Sequence, residues 1–213
     1  MIFLERSNMP IQEKIYKHFM KVDPIIAGVM SKYELRDLQP NLDSKTYFAN
    51  LTREIIGQQL SGRVADVIHG RFLELFSKQT PTAKAILKIS DQELRDIGMS
   101  WAKVKYVKDL ALKTQNKEVR WELLPSFSDE EVTTELTKIK GIGRWTAEMF
   151  LMFTLGREDI FSFGDLGLKK GLQKLYKLPE KFTPVEVEKI TTPWSPYRSY
   201  GSLALWESLD NRP

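Results

Sequence analysis

Apolar residues recur at helical spacing along most of this chain, and this pattern limits the fold more than any other feature. Residues three, four or seven positions apart lie on one face of an α-helix. The chain contains no convincing alternating strand pattern and no Asn-Gly or Asp-Gly hairpin turn. The sequence therefore predicts an all-α fold. Two of the apolar stripes are Phe48, Leu51, Ile55 and Leu168, Leu172, Leu175.

Helix starts are marked by capping boxes, in which a Ser or Thr is followed three residues later by Glu. Three such pairs open predicted helices, and the last has Pro184 at the first helical position, where proline is favoured. With the periodicity, they predict helices over 10–21, 24–32, 45–59, 61–76, 82–88, 90–97, 100–114, 128–138, 143–155, 165–177, 183–191 and 195–209. The pairs are Ser90 with Glu93, Ser128 with Glu131 and Thr183 with Glu186.

Composition excludes several kinds of site. The chain has no cysteine and only two histidines, which rules out disulfides, thiolate metal sites and cysteine nucleophiles. The sequence has no run of about 18 apolar residues, so no membrane-spanning helix is predicted. An intracellular protein is therefore expected, in the cytoplasm or nucleoid, or in the nucleus of a eukaryote. A net charge of +4 is compatible with a polyanionic partner.

A glycine turn joins the predicted helices 128–138 and 143–155. Its sequence is Lys140-Gly141-Ile142-Gly143-Arg144, and the two glycines permit positive φ and close backbone approach. The N–H groups that open the second helix suit a phosphate. Either this is a plain corner between helices or it grips a nucleic-acid backbone. The residues predicted to contact that backbone are Lys140, Gly141, Gly143, Arg144 and Thr146.

An aspartate opens the predicted helix 165–177. Asp165 lies 22 residues after Gly143 within the sequence Phe-Gly-Asp-Leu-Gly-Leu. Taken alone, Asp165 is most simply a helix N-cap. Lys170 follows it on the same helix and is a further candidate for a phosphate contact.

Five ordered segments together resemble the helix-hairpin-helix DNA glycosylase superfamily, and the AlkA-like 3-methyladenine DNA glycosylase II branch in particular. Two of these are the glycine turn and the Asp165 segment. The other three are Glu-Ile-Ile-Gly-Gln-Gln-Leu-Ser at 54–61, Ile-Gly-Met-Ser-Trp-Ala-Lys-Val-Lys-Tyr at 97–106 and Trp-Ser-Pro-Tyr-Arg-Ser-Tyr-Gly-Ser-Leu-Ala-Leu-Trp at 194–206. Gly201 departs from the family pattern, which has alanine there.

The resemblance implies base-excision repair: an alkylated purine of the 3-methyladenine or 7-methylguanine type is flipped from double-stranded DNA and its N-glycosidic bond is hydrolysed. Asp165 would be the one catalytic residue. Trp145 stands where bifunctional relatives carry a Schiff-base lysine, so lyase activity is not expected. Trp145, Met149 and Tyr197 would line the base pocket, and Gln59 would be the intercalating wedge.

The resemblance also implies two helical lobes with an active-site cleft between them. One lobe would combine 1–44 with 156–213, and the other would be 45–155, ending in the hairpin 128–155. A monomer without organic cofactor or catalytic metal is expected. A structural sodium or potassium ion could be held at the hairpin by the carbonyls of Thr137, Ile139 and Ile142.

Three alternatives remain open at this stage. The first is a helix-hairpin-helix module that binds DNA without cutting it, because the turn alone carries no chemistry. The second is a glycosylase for a different base, although the missing lysine and cysteines argue against the lyase-type and cluster-bearing branches. The third is a helical structural or interaction domain, which would leave the glycine turn and the Asp165 segment unexplained.

Overall fold

The computed structural model of the protein describes residues 11–33 and 36–209. Within these ranges every regular element is helical, so the all-α prediction is confirmed. None of the described helices is long and apolar enough to cross a membrane. The α-helices are α1 Ile11–Val22, α2 Pro24–Met30, α3 Tyr47–Gly57, α4 Gly62–Glu74, α5 Ala83–Lys88, α6 Asp91–Asp96, α7 Trp101–Gln115, α8 Asp129–Thr137, α9 Arg144–Phe153, α10 Leu166–Tyr176, α11 Pro184–Thr191 and α12 Arg198–Glu207.

The helices form two compact units. One contains the described residues of 1–39 and 156–213, and the other is Pro40–Leu155. The predicted lobe boundary after 44 falls later than the observed one. The reason is that the segment before α3 is bonded into the second unit: Asn41 donates its N–H to the Thr154 carbonyl at 2.9 Å, and the Tyr47 hydroxyl donates to the Asn41 carbonyl at 2.6 Å. The active-site cleft expected between the lobes stays a prediction.

In the unit Pro40–Leu155, α3 packs against both α4 and α7. Its buried face includes Leu51, Ile55 and Ile56, none of which has exposed surface, as the helical stripe predicts. A buried carboxylate ties the start of the hairpin to the preceding loop: Glu135 of α8, 1% exposed, accepts from the Arg120 guanidinium at 2.7 Å and from Lys138 Nζ at 2.8 Å. These bonds hold the pKa of Glu135 at about 2, with the Arg120 hydrogen bond as the largest cause.

In the other unit, one buried carboxylate joins four segments. Asp23 caps α2 by accepting from the Ile25 and Ile26 N–H groups at 3.1 and 3.2 Å. It also accepts from the Trp194 indole N–H at 2.7 Å and from the Tyr176 hydroxyl at the end of α10. Burial, and then this bond, raise the pKa of Tyr176. A charge is tolerated in this core because its oxygens are saturated with donors.

Close packing of helices in the same unit depends on two glycines. A Cβ at Gly171 would lie 2.9 Å from the Leu205 carbonyl, so α10 and α12 approach closely there. A Cβ at Gly201 would lie 2.4 Å from Trp194 Cε3. Trp194 has no exposed surface, and its ring fills the space that a methyl group at 201 would need.

The predicted helices differ from the observed ones mainly at their ends. The predicted start at 10 lies outside the described residues. The last helix begins at Arg198 rather than at 195, because Ser195 precedes a proline and is extended, with ψ 135°. Short 3₁₀ turns, which the periodicity did not predict, occur within the described residues at Ser44–Thr46, Ser77–Gln79, Trp121–Ser126 and Thr192–Trp194.

Candidate functional site

The hairpin turn between α8 and α9 is built against an aromatic ring. Gly141 has a positive φ of 82°, and a Cβ there would lie 2.2–2.5 Å from ring atoms of Tyr106. Both the backbone conformation and the Tyr106 ring therefore require glycine. Ile139 and Ile142 are buried beneath the turn, as expected for a residue that locks two helices together. Gly143 has φ −96°, and a Cβ there would meet nothing within 4 Å.

Two further contacts fix this turn from outside the hairpin. Gln58 Nε2, just after α3, donates to the Gly141 carbonyl at 3.0 Å. Asp109 of α7 accepts from the Lys140 N–H at 2.8 Å. The turn is thus held by Gln58, by Asp109 of α7 and by its own buried isoleucines.

The side chains predicted to contact a nucleic-acid backbone differ in how available they are. The Arg144 guanidinium bonds Glu130 at 3.1 Å and Glu148 at 3.0 Å, and the Glu130 hydrogen bond is the largest cause that raises the pKa of Arg144. Thr146 is 5% exposed, so a contact there would use its main chain. Lys140 is exposed, and its ammonium lies 3.8 Å from Asp109. Lys170, in the other unit, is exposed on α10.

A cavity of about 450 Å³ adjoins the turn within the unit Pro40–Leu155. The structure brings three predicted site residues to this cavity, namely Gln59, Gly141 and Trp145. Trp145 is 41% exposed, whereas Met149, one turn later, is 7% exposed. Gln59 is exposed with φ 58°, an uncommon conformation for a residue with a side chain. The other lining residues are Gln58, Ser100, Ala102, Lys103 and Tyr106.

Lys103, from the segment 97–106, joins α7 to the end of α3. Its ammonium donates to the Ile56 carbonyl at 2.8 Å, and burial lowers the pKa of Lys103. Carbonyls in the last turn of a helix lack intrahelical partners and favour a cation. The bond therefore holds the last turn of α3, directly before the turn that contains Gln59.

In the other unit, Asp165 caps α10, and its Oδ1 holds two donors. It accepts from the Leu168 N–H at 2.8 Å and from the Trp206 indole N–H of α12 at 2.9 Å. Gly167 makes the second bond possible, because a Cβ there would lie 2.8 Å from Trp206 Cδ1. The carboxylate is half-buried and oriented by two separate helices.

Tyr197 lies at the N-cap of α12 and is 5% exposed. The residues after it anchor this position to the segment 157–160. Arg198 bonds Asp159 through Nε at 2.7 Å and through a second guanidinium nitrogen at 3.0 Å. Ser199 accepts from the Ile160 N–H at 2.9 Å and donates to the Arg157 carbonyl at 2.7 Å. Burial alone would raise the pKa of Asp159, but bonds from Arg198 and Ser195 lower it.

Sequence reasoning missed several residues that shape these sites. The functions of Tyr106, Trp206 and Asp159 appear only when distant segments are packed together. Tyr106 and Trp206 were present in the quoted family segments, so the signal existed, but nothing in the one-dimensional pattern paired them with Gly141 and Asp165. Asp159 had no such signal.

The described residues contain no group of three or more His, Asp or Glu side chains that could hold a metal ion. The carbonyls of Thr137, Ile139 and Ile142 belong to the hairpin turn. That of Ile139 already accepts from the Ile142 N–H at 3.1 Å, and a carbonyl has a second lone pair that a cation could use. A donor set of three carbonyls fits a monovalent cation, and the ion stays a prediction.

Comparison with known proteins supplies the context for this geometry. Residues 52–196 match the model of the HhH-GPD superfamily of base excision DNA repair proteins. The chain is similar to the putative DNA-3-methyladenine glycosylase YfjP of Bacillus subtilis, with 33% identity over 73% of this chain and 56% of that protein. The aligned part thus spans little more than half of that relative.

Two solved structures are similar over nearly the whole chain. The DNA-3-methyladenine glycosidase of Bacillus halodurans has 30% identity and a TM-score of 0.78, covering 96% of this chain and 91% of its own. The 3-methyladenine DNA glycosylase Mag1 of Schizosaccharomyces pombe, in complex with abasic DNA, has 29% identity and a TM-score of 0.76, covering 92% and 96%. These matches confirm the resemblance inferred from the five segments.

Proposed function

Because this chain belongs to the HhH-GPD superfamily of base excision DNA repair proteins, we propose that it is a monofunctional DNA glycosylase that releases alkylated purines from double-stranded DNA. The single observation that carries the proposal is the carboxylate of Asp165, fixed by Leu168 and Trp206 at the start of α10. A plain N-cap needs only the first of these bonds. The names of the two similar solved structures support alkylated purines as the substrate class.

The proposed chemistry needs one negative charge and a water molecule. An N3- or N7-alkylated purine is cationic, so the glycosidic electron pair leaves with the base and neutralises it. The sugar left behind resembles an oxocarbenium ion, which an ionised Asp165 would stabilise, and water adds to C1′ with loss of a proton. A preorganised charge of this kind is worth about 10²–10³-fold in rate.

Base recognition would use the aromatic residues that the sequence analysis singled out. Tyr197 would stack on the cationic base, and a cation over such a ring gains about 0.5–2 kcal/mol. Trp145 and Met149 are the other residues predicted to contact the base, and because Trp145 stands in place of a Schiff-base lysine, the DNA strand would stay intact. The exposure of Trp145 supports a direct contact with the base, whereas the buried Met149 would act by supporting the residues around it.

DNA binding would use the hairpin turn and the Gln59 turn. Gly141 and Gly143 would let a phosphate approach the N–H groups that open α9, with Lys140 and Lys170 contributing charge. Arg144 bonds Glu130 and Glu148, so we assign it to holding α8 against α9 as well as to the phosphate. Gln59, exposed in a left-handed conformation, would fill the space left by the extruded base.

The deciding experiment is base release from methylated duplex DNA by the wild type and by Asp165→Asn. Asparagine is itself a good N-cap, and its amide oxygen can accept from Leu168 and Trp206 as Asp165 does, so the variant removes charge and little else. We expect the variant to bind an abasic-site duplex normally and to release base about 10²–10³-fold more slowly. Asp43→Asn, at another aspartate N-cap, is the matched control and should release base at the wild-type rate.

The same assay separates the alternatives. Wild-type binding without release from any methylated or deaminated duplex would leave a non-catalytic DNA-binding module. If the wild type released a different damaged base and no methylpurine, the proposed substrate class would be wrong, and the proposed role of Asp165 would stand. Strand cleavage before alkali is added, with a covalent adduct trapped by borohydride, would contradict the monofunctional assignment.

A further inference from the structure

Two residues of α1 lie against the ring of Tyr197. The Lys14 ammonium lies over this ring, 5.8 Å from its centroid. The His18 ring meets it edge to face, with centroids 5.2 Å apart. The two residues are four positions apart and therefore share one face of α1. No sequence motif pointed to α1, yet its residues contact Tyr197, the residue proposed to stack on the base.

Lys14 contacts Tyr197 and is exposed to solvent. Its pKa is raised, chiefly by a hydrogen bond with Tyr197. Tyr197 itself is only 5% exposed. His18, Tyr200 and Lys14 surround the ring, and among these three Lys14 is the flexible, solvent-exposed one. A base that stacks on the ring would therefore come close to the Lys14 ammonium.

A lysine ammonium beside Tyr197 affects which bases can bind there, according to their charge. The negative face of an aromatic ring attracts one cation at a time. A cationic base on this ring would be repelled by the nearby ammonium, whereas a neutral base would not feel this charge repulsion. We propose that Lys14 is a specificity-determining residue that sets the charge selectivity of the base site, disfavouring cationic purines relative to neutral ones.

This inference rests on the proposed function, and its test uses the intact chain. The variant Lys14→Met removes the charge and keeps the length of the side chain. We expect single-turnover release of 7-methylguanine, which is cationic while attached to the sugar, to rise about 5- to 10-fold, and release of hypoxanthine, which is neutral in DNA, not to rise. The gain should shrink at high salt, because the repulsion between exposed charges is screened. Lys14→Arg should behave as the wild type.

Lys17→Ala is the matched control, because it removes the same charge from the same helix, where Lys17 pairs with Glu13 at 2.7 Å. Loss of general DNA attraction would weaken binding to an abasic-site duplex in both variants alike. A Lys14→Met variant that releases 7-methylguanine at or below the wild-type rate overturns the inference while leaving the glycosylase intact. A wild type that releases neither base overturns the proposed function first, and the role of Lys14 with it.

Discussion

The indole N–H of Trp206 donates to Oδ1 of Asp165 at 2.9 Å, the same oxygen that accepts from the Leu168 N–H. Replacing Trp206 with Phe keeps a ring beside Gly167 and removes this donor. We expect base release to fall about 10-fold and stability to fall by about 1.5–3 kcal/mol, as for other hydrogen bonds to a charged group. Single-turnover kinetics and thermal unfolding would measure the two effects.

Trp121→Phe is the control for that substitution. Trp121 is buried, and its indole nitrogen has no hydrogen-bond partner among the described residues. Its replacement shrinks the ring without removing a bond, so base release should match the wild type, and any loss of stability reports the smaller ring alone. Equal losses in the two variants would mean that ring size matters and that the bond to Asp165 does not.

Gly141→Ala should disrupt the hairpin. The substitution combines a φ of 82° with a Cβ 2.2 Å from the Tyr106 ring, and we expect a loss of about 2–4 kcal/mol in stability. Gly143→Ala should retain the wild-type melting temperature, because its φ is ordinary and its surroundings are open. If a phosphate approaches Gly143, this second variant will bind DNA more weakly despite folding normally. A Gly141→Ala protein with an unchanged melting temperature would contradict the packing described here.

Glu135→Gln should lower stability in a pH-dependent way. The Arg120 hydrogen bond, followed by that of Lys138, holds the pKa of Glu135 at about 2, below its ordinary value of about 4.5. A lowered pKa stabilises the fold above the ordinary value, and that stability is lost as the pH falls towards the folded value. We expect a deficit of about 1–3 kcal/mol at neutral pH that narrows below about pH 4.5. Urea unfolding at stepped pH would show it, and a deficit that stays constant with pH would contradict the assignment.

Gln59→Gly separates the backbone of this turn from its side chain. Glycine tolerates φ 58° better than glutamine, so stability should stay equal or rise slightly. Base release should nevertheless fall about 10-fold, because nothing then offsets the few kcal/mol needed to unstack the base. Lys117→Gly removes a side chain at the same φ, and its release rate should be unchanged. A Gln59→Gly enzyme as fast as the wild type would exclude Gln59 as the wedge.

The sequence predicted local features well because their causes are local. Ser90, Ser128 and Thr183 each form the predicted capping box, since the bonds involved span three residues. Gly141 was identified from its turn. Its contact with Tyr106 was not, because that contact joins segments 35 residues apart. The last helix was predicted to begin too early because periodicity alone ignores the extended residue before Pro196.

Gly201 carries a consequence for how this chain could change over evolutionary time. The family pattern has alanine at this position, yet a methyl group here would enter the ring of Trp194, 2.4 Å from Cε3. Trp194 is in turn held by its bond to Asp23. Alanine at position 201 therefore requires the Trp194 ring to shift. Engineering towards the family consensus, which usually stabilises a protein, should fail at this one residue.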